Sequence, residues 1–281
     1  MPLDSPDAVL AEIAYGLDEL GLDGVMLTSN SVGQYFGQPF YEPVLAEPAR
    51  REVPVFLHPT DCPHVEVLGL GRPSSVCEYP FDTARNLVNA LYRGVFLRHP
   101  GLKLILAHCG GALPTLGRRI AEHTTMGRGP DDDPAVGPEH VAEVLRGLYY
   151  DTALAGSPHS LLPTLEVTGP GHVLFGTDWP AAPEPTVKRT VAALTGFPGF
   201  DAAELAGVER GNAARLFPRL ARAHGGVRLR PCRPGPRRYS WPGQRPAGAG
   251  DAAWGHPEGR SSRSRRGPWW SRPPRRCGGR S

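Results

Sequence analysis

Five short apolar runs, each ending on polar or small residues and separated by helical patterns, constrain this chain more than any other feature. They are Gly24–Thr28 (GVMLT), Val53–His58 (VPVFLH), Leu102–His108 (LKLILAH), Leu148–Asp151 (LYYD) and His172–Asp178 (HVLFGTD). Nearly continuous apolar content without alternation predicts strands buried on both faces of a parallel sheet. Between them, Asp7–Leu20 places Val9, Leu10, Ile13, Ala14 and Leu17 on one stripe, and Asp82–Leu97 repeats the pattern through Leu87, Val88, Leu91 and Val95. Gly211–Leu220 reads as a short closing helix. Strands that alternate with helices predict βα units and a layered α/β fold.

The polar residues fall where such a fold does its chemistry. His58, His108, Asp151 and Asp178 each stand at the carboxyl end of a predicted strand. In a parallel barrel those ends share one rim, on which catalytic groups from several strands assemble. Imidazole and carboxylate together suit Zn²⁺ or another divalent first-row metal, with an open position for water or substrate. Gly110-Gly111 allows a tight turn from strand into helix. Asp178 also fits a helix cap, with Pro180 in the first turn that follows. Arg85, in FDTARN, has the forked guanidinium that grips a carboxylate, and reads equally well as a solvated helix charge. Trp179 and Phe81 either wall an aromatic pocket or belong to the core.

Charge divides the chain near residue 221. Met1–Leu220 holds 16 Lys and Arg against 26 Asp and Glu, a net of −10; Ala221–Ser281 holds 15 against 2, a net of +13. The basic segment (RPCRPGPRRYSWPGQRPAG, SSRSRRGPWWSRPPRR) has no periodic apolar pattern, and its composition predicts disorder. Arginines interspersed with aromatics also suit nucleic acid, a reading that ranks below plain disorder. The five cysteines form no CxxC, no signal-peptide pattern opens the chain and no apolar run is long enough to span a bilayer. A cytoplasmic protein with reduced thiols and no membrane partner is the expectation.

Taken together, VFLHPT, HPGLKLILAHCGGALPTLGRRI, YYDTALAGSPHSL, GPGHVLFGTDWPAAP and RGNAARLF resemble successive motifs of the amidohydrolase-related family, in its decarboxylase-like branch. That branch includes aminocarboxymuconate-semialdehyde, γ-resorcylate and 6-methylsalicylate decarboxylases. The resemblance runs from about Leu3 to Leu220. It implies a (β/α)8 barrel whose strands four to eight are the five apolar runs. It implies that His58 and Asp178 hold a divalent metal, Zn²⁺ or Mn²⁺, and that His108 is the acid/base, with Asp178 sharing in catalysis. Asp151, Arg85 and Trp179 are then the substrate-binding candidates. The implied reaction is decarboxylation of a small aromatic or unsaturated carboxylic acid, with hydrolysis at the same site as the alternative and a homodimer as the implied assembly.

One departure from the family pattern stands out. The family's first strand carries a His-x-His pair of further metal ligands, and this chain has no histidine before His58. Strands one to three are not recognisable, a shortfall of roughly a hundred residues against a barrel of about 250. The expectation is an incomplete barrel over 1–220, truncated at its amino end and followed by a disordered tail over 221–281. Two protein ligands are fewer than the three a catalytic metal usually takes, so this chain is expected to hold metal poorly.

Overall fold

The computed structural model describes residues 5–31 and 33–219. The chain runs α1 (Pro6–Ala14), β1 (Val25–Thr28), α2 (Tyr41–Arg51), β2 (Pro54–His58), α3 (Glu78–Tyr92), β3 (Lys103–Leu106), α4 (Leu113–His123), α5 (Pro138–Gly147), β4 (Tyr149–Asp151), α6 (Pro158–Thr168), β5 (Val173–Leu174), α7 (Glu184–Thr195) and α8 (Asn212–Leu216), with short helical turns between them. All five strands pair in parallel in sequence order. Parallel neighbours joined through helices are the repeating unit of the (β/α)8 barrel, and the described residues supply five of its eight strands. The basic segment 221–281, and with it the reading of a disordered or nucleic-acid-binding tail, lies outside the described residues.

Strand register sorts the side chains into rows. Leu27, Leu57, Leu106, Tyr150 and Val173 lie side by side across the sheet, and each is essentially inaccessible to solvent. Most of this row packs on Ile13 of α1, Leu45 of α2, Leu87 and Leu91 of α3 and Leu113 of α4. Burying a leucine of this kind contributes about 1.5–3 kcal/mol. Leu106→Ala, at the centre of the sheet, is therefore expected to cost about 2–5 kcal/mol through lost burial and the cavity left behind. Denaturant titration checks it, and a loss below about 1 kcal/mol would mean that the helices close over the gap.

The opposite face corrects the expectation of strands buried on both sides. Met26, Phe56, Ile105 and Tyr149 form its first row. Phe56, Ile105 and Tyr149 gather with Leu174 against Ala213, Leu216 and Phe217 at the carboxyl end of the described chain, whereas Met26 is 59% exposed. Helix cover is thus complete on one face and partial on the other.

Helix bounds shift where a local group overrides periodicity. The stripe expected over Asp7–Leu20 is α1 followed by a wider π-helical turn, Tyr15–Glu19. The stripe over Asp82–Leu97 breaks at Gly94, which takes a left-handed backbone (φ 65°) before the short turn Val95–Arg98. At the closing helix, Asn212 donates to the carbonyls of Pro170 at 2.8 Å and Val173 at 2.7 Å, tying α8 to β5. No helix among the described residues is long and apolar enough to cross a membrane.

His172, just before β5, stacks on Tyr149 with ring centroids 4.5 Å apart, and its Nδ1 lies 3.1 Å from the Leu148 carbonyl. Burial holds this imidazole below its ordinary range, because the charged form would lose its hydration. Below about pH 6.5 the unfolded chain therefore binds more protons at this position than the native one. Stability is expected to fall as pH drops through that value, and His172→Gln should flatten the fall. Denaturation midpoints at about pH 8 and about pH 5.5 decide it; equal shifts in both proteins would place the pH dependence elsewhere.

Candidate active site

Each side chain of the site is aimed by the strand-to-helix connection that carries it. His58 is the last residue of β2 and Asp151 the last of β4. His108 lies beyond β3, at the start of a 3₁₀ turn, and Asp178 lies in the loop beyond β5. Both are set in left-handed backbone, with φ of 57° and 63°. Asp and His tolerate that region better than most residues, but it still costs energy and tends to persist at functional positions.

The His108 turn depends on the glycines that follow it. Gly110 (φ 72°) and Gly111 (φ 60°) both require positive φ. A Cβ on Gly110 would sit 3.0 Å from the Tyr150 ring, and one on Gly111 would collide with the Pro80 carbonyl. The tight turn expected of this pair is present, and it brings α4 directly up to the site.

Three potential donors converge. One ligand atom each from His58, His108 and Asp178 lies within 4.8 Å of the others. His58 Nε2 stands 3.9 Å from Asp178 Oδ1, and the two imidazole rings meet edge to face at 5.6 Å. The far nitrogens of both rings are occupied. His58 Nδ1 lies 2.8 Å from the Pro59 carbonyl and His108 Nδ1 lies 2.9 Å from the Ala153 carbonyl. A carbonyl can only accept, so each Nδ1 carries a proton and donates, which leaves Nε2 of each ring with a lone pair toward the cluster.

Asp151 works on His108 from behind. It is nearly buried, and its Oδ1 accepts the backbone N–H groups of His108 at 2.8 Å and Ala153 at 3.0 Å. Burial pushes this carboxyl above the usual carboxylate range, while the two N–H bonds pull the other way. With Ala153 holding the ring and Asp151 holding the backbone, His108 is fixed at both ends.

Two cavities meet at the cluster. One, of about 580 Å³, lies against the inner face of the sheet and is lined by Met26, Phe56, Ile105, Phe175 and Phe217 together with Asp151. The other, of about 620 Å³, opens on the rim and is lined by Ser75, Val76, Tyr79, Pro80, Leu154 and Ser160. His58, His108 and Asp178 line both.

The structure brings His58, His108, Asp151 and Asp178 together and leaves the other candidates outside. Arg85 lines neither cavity; its guanidinium donates to Asp82 at 2.7 Å on its own helix. Trp179, joined to Pro180 by a cis peptide, is 63% exposed and Phe81 is 51% exposed; neither lines a cavity. The aromatic that does face the cluster is Tyr79, its ring 6.4 Å from that of His58. Only its place beside FDTARN could have drawn attention to it.

Comparison with known proteins places this geometry. The amidohydrolase family profile matches residues 1–219. The chain belongs to the amidohydrolase family. A 6-methylsalicylic acid decarboxylase of Penicillium expansum is 35% identical over 215 residues, covering 76% of this chain and 65% of that protein. The chain thus spans about two thirds of the length of this curated relative. Among solved structures, a 2,6-dihydroxybenzoate decarboxylase complexed with 2,6-dihydroxybenzoate superposes with a TM-score of 0.66 at 25% identity, over 78% of this chain and 69% of that one. A 5-carboxyvanillate decarboxylase of Novosphingobium aromaticivorans, complexed with manganese, shares the fold with a TM-score of 0.70 at 21% identity, over 78% and 62% of the two chains. In this amidohydrolase the described strands are an arc of the family's barrel.

Proposed function

We propose that this amidohydrolase is a metal-dependent carboxy-lyase acting on a small aromatic or unsaturated carboxylic acid. The observation that carries the reading is the cluster of His58, His108 and Asp178, whose ligand atoms lie within 4.8 Å of one another at the junction of two cavities. An imidazole nitrogen and a carboxylate oxygen suit a divalent first-row ion, with Zn²⁺ the better match to imidazole and Mn²⁺ accepted by the carboxylate. His58 and Asp178 would hold it. When bound, it supplies a Lewis acid that polarises a hydroxyl or carboxylate oxygen of the substrate.

The chain's own residues supply the rest. The rim cavity, whose lining includes Tyr79, Pro80 and Leu154, receives the planar acid. His108, in its protonated form, delivers a proton from Nε2 to the carbon that bears the carboxylate. The bond to the carboxylate carbon then breaks, and its electron pair returns to the π system that the proton had interrupted as carbon dioxide leaves. Asp151 and the Ala153 carbonyl keep His108 aligned throughout.

Carbon dioxide release from a panel of hydroxybenzoic and methylsalicylic acids, with the metal supplied, tests the reaction. Stoichiometric release alongside the decarboxylated arene is expected. Water-dependent opening of a lactone or amide panel without carbon dioxide release would move the chain to the hydrolase side of the family.

A further inference from the structure

The loop that carries His58 is braced by a buried charge that lines neither cavity. Asp82, near the start of α3, is 0% exposed. Its Oδ2 accepts the Ser29 hydroxyl and, at 2.8 Å, the Asn30 side-chain amide. Its Oδ1 accepts the Tyr35 hydroxyl at 2.6 Å and the Arg85 guanidinium at 2.7 Å. A carboxylate withdrawn from water is costly unless its lone pairs are filled, and here four donors fill them. Asn86 and Asn89 extend the same helix face, since residues three and four apart stand above one another. Asn86 accepts the Phe36 N–H at 3.0 Å, and Asn89 donates to the Phe36 carbonyl at 2.6 Å. The segment after β1 is thus clamped along α3.

That clamp reaches His58 through Ser29 and Asn30. The Ser29 backbone N–H donates to the His58 carbonyl at 2.9 Å, and the Ser29 hydroxyl oxygen accepts the Thr60 N–H at 3.1 Å. The Asn30 side-chain amide donates to the Asp61 carbonyl at 3.0 Å. The stretch from His58 to Asp61 is therefore held at three points by two residues whose side chains are oriented by one carboxylate. Within it, the Pro59 carbonyl accepts the His58 Nδ1 proton and so sets the rotation of the ring. A shift of this loop would turn Nε2 away from the cluster.

We infer that Asp82 is a positioning residue for the metal site: through Ser29 and Asn30 it fixes the His58–Asp61 backbone so that His58 Nε2 faces Asp178. The inference rests on the proposal that His58 and Asp178 hold a divalent ion. Removing a group that orients a metal-binding histidine typically weakens metal affinity about 10–100-fold.

Four proteins test it: wild type, Asp82→Asn, Ser29→Ala and Tyr35→Phe. Zn²⁺ affinity is measured by titration calorimetry, the His58 ring nitrogens by ¹⁵N shifts in the metal-free chain, and the melting temperature beside both. Asp82→Asn and Ser29→Ala are expected to weaken Zn²⁺ binding about 10–100-fold and to move the His58 signals. Tyr35→Phe, which deletes a donor that does not touch the loop, is expected to lower the melting temperature with affinity and signals unchanged. Should Asp82→Asn fail to fold, Ser29→Ala decides, because it removes only the hydroxyl that joins Asp82 to the Thr60 N–H and leaves the carboxylate and its other three donors in place. Wild-type affinity and wild-type His58 signals in Ser29→Ala would overturn the inference and leave Asp82 a brace for stability alone. A wild type that binds no Zn²⁺ would overturn the metal reading, while the ¹⁵N shifts would still report whether Ser29 sets the ring.

Discussion

Alanine at both His58 and Asp178 is expected to take the bound divalent metal from near one ion per chain to background, read by elemental analysis after dialysis. The two changes remove one imidazole and the carboxylate from a set of three groups whose ligand atoms lie within 4.8 Å of one another. A lone His108 could not retain an ion for which three protein ligands are usual. A second readout is the melting temperature. A ligand bound only by the native state stabilises it by about 2.7 kcal/mol at a hundred times its dissociation constant. Added Zn²⁺ should therefore raise the wild-type transition and leave the double variant where it was. Background metal in the wild type, with no such shift, would mean that the three groups do not suffice and that the proposed chemistry cannot start.

His108→Asn, assayed with saturating Zn²⁺, is expected to lose about 10²–10⁴-fold in kcat, the usual contribution of a positioned acid or base. Asparagine suits the left-handed backbone at this position, so the turn should survive the change. The comparison also assigns the residue. Loss of activity with metal retained identifies His108 as the proton donor. Loss of both in parallel would make it the third ligand and would send the search for a donor to Tyr79, which shares the rim cavity.

Much of this was legible in the sequence because strand ends are legible. A parallel strand with one face fully covered must be apolar along that face, so the first polar residue after the run marks the rim. His58 and Asp151 were located in this way as the last residues of their strands. His108 and Asp178 were named for the same reason, although each lies in the connection beyond its strand. What periodicity could not show was the polar face of α3. Asp82, Asn86 and Asn89 look like the solvated side of an amphipathic helix, yet Asp82 and Asn86 are fully buried. Their partners are Ser29, Asn30, Tyr35 and Phe36, some fifty residues earlier. A hydrogen bond across that separation leaves no local pattern. Arg85 has the right chemistry for a substrate carboxylate but donates to Asp82, three residues earlier on the same helix. Motif assignment also did not show that folding brings a ligand atom of His108 within 4.8 Å of those of His58 and Asp178.

The left-handed backbone at His108 and Asp178 has a consequence for anyone who tries to harden this protein. Glycine adopts such a conformation without the steric cost that a side chain carries. Asp178→Gly would relieve that cost and at the same stroke delete the carboxylate. Selection for heat resistance alone would thus tend to erode the residues on which the proposed reaction depends. Thermal robustness and chemistry compete for the same positions here, and any library meant to improve one should hold both residues fixed.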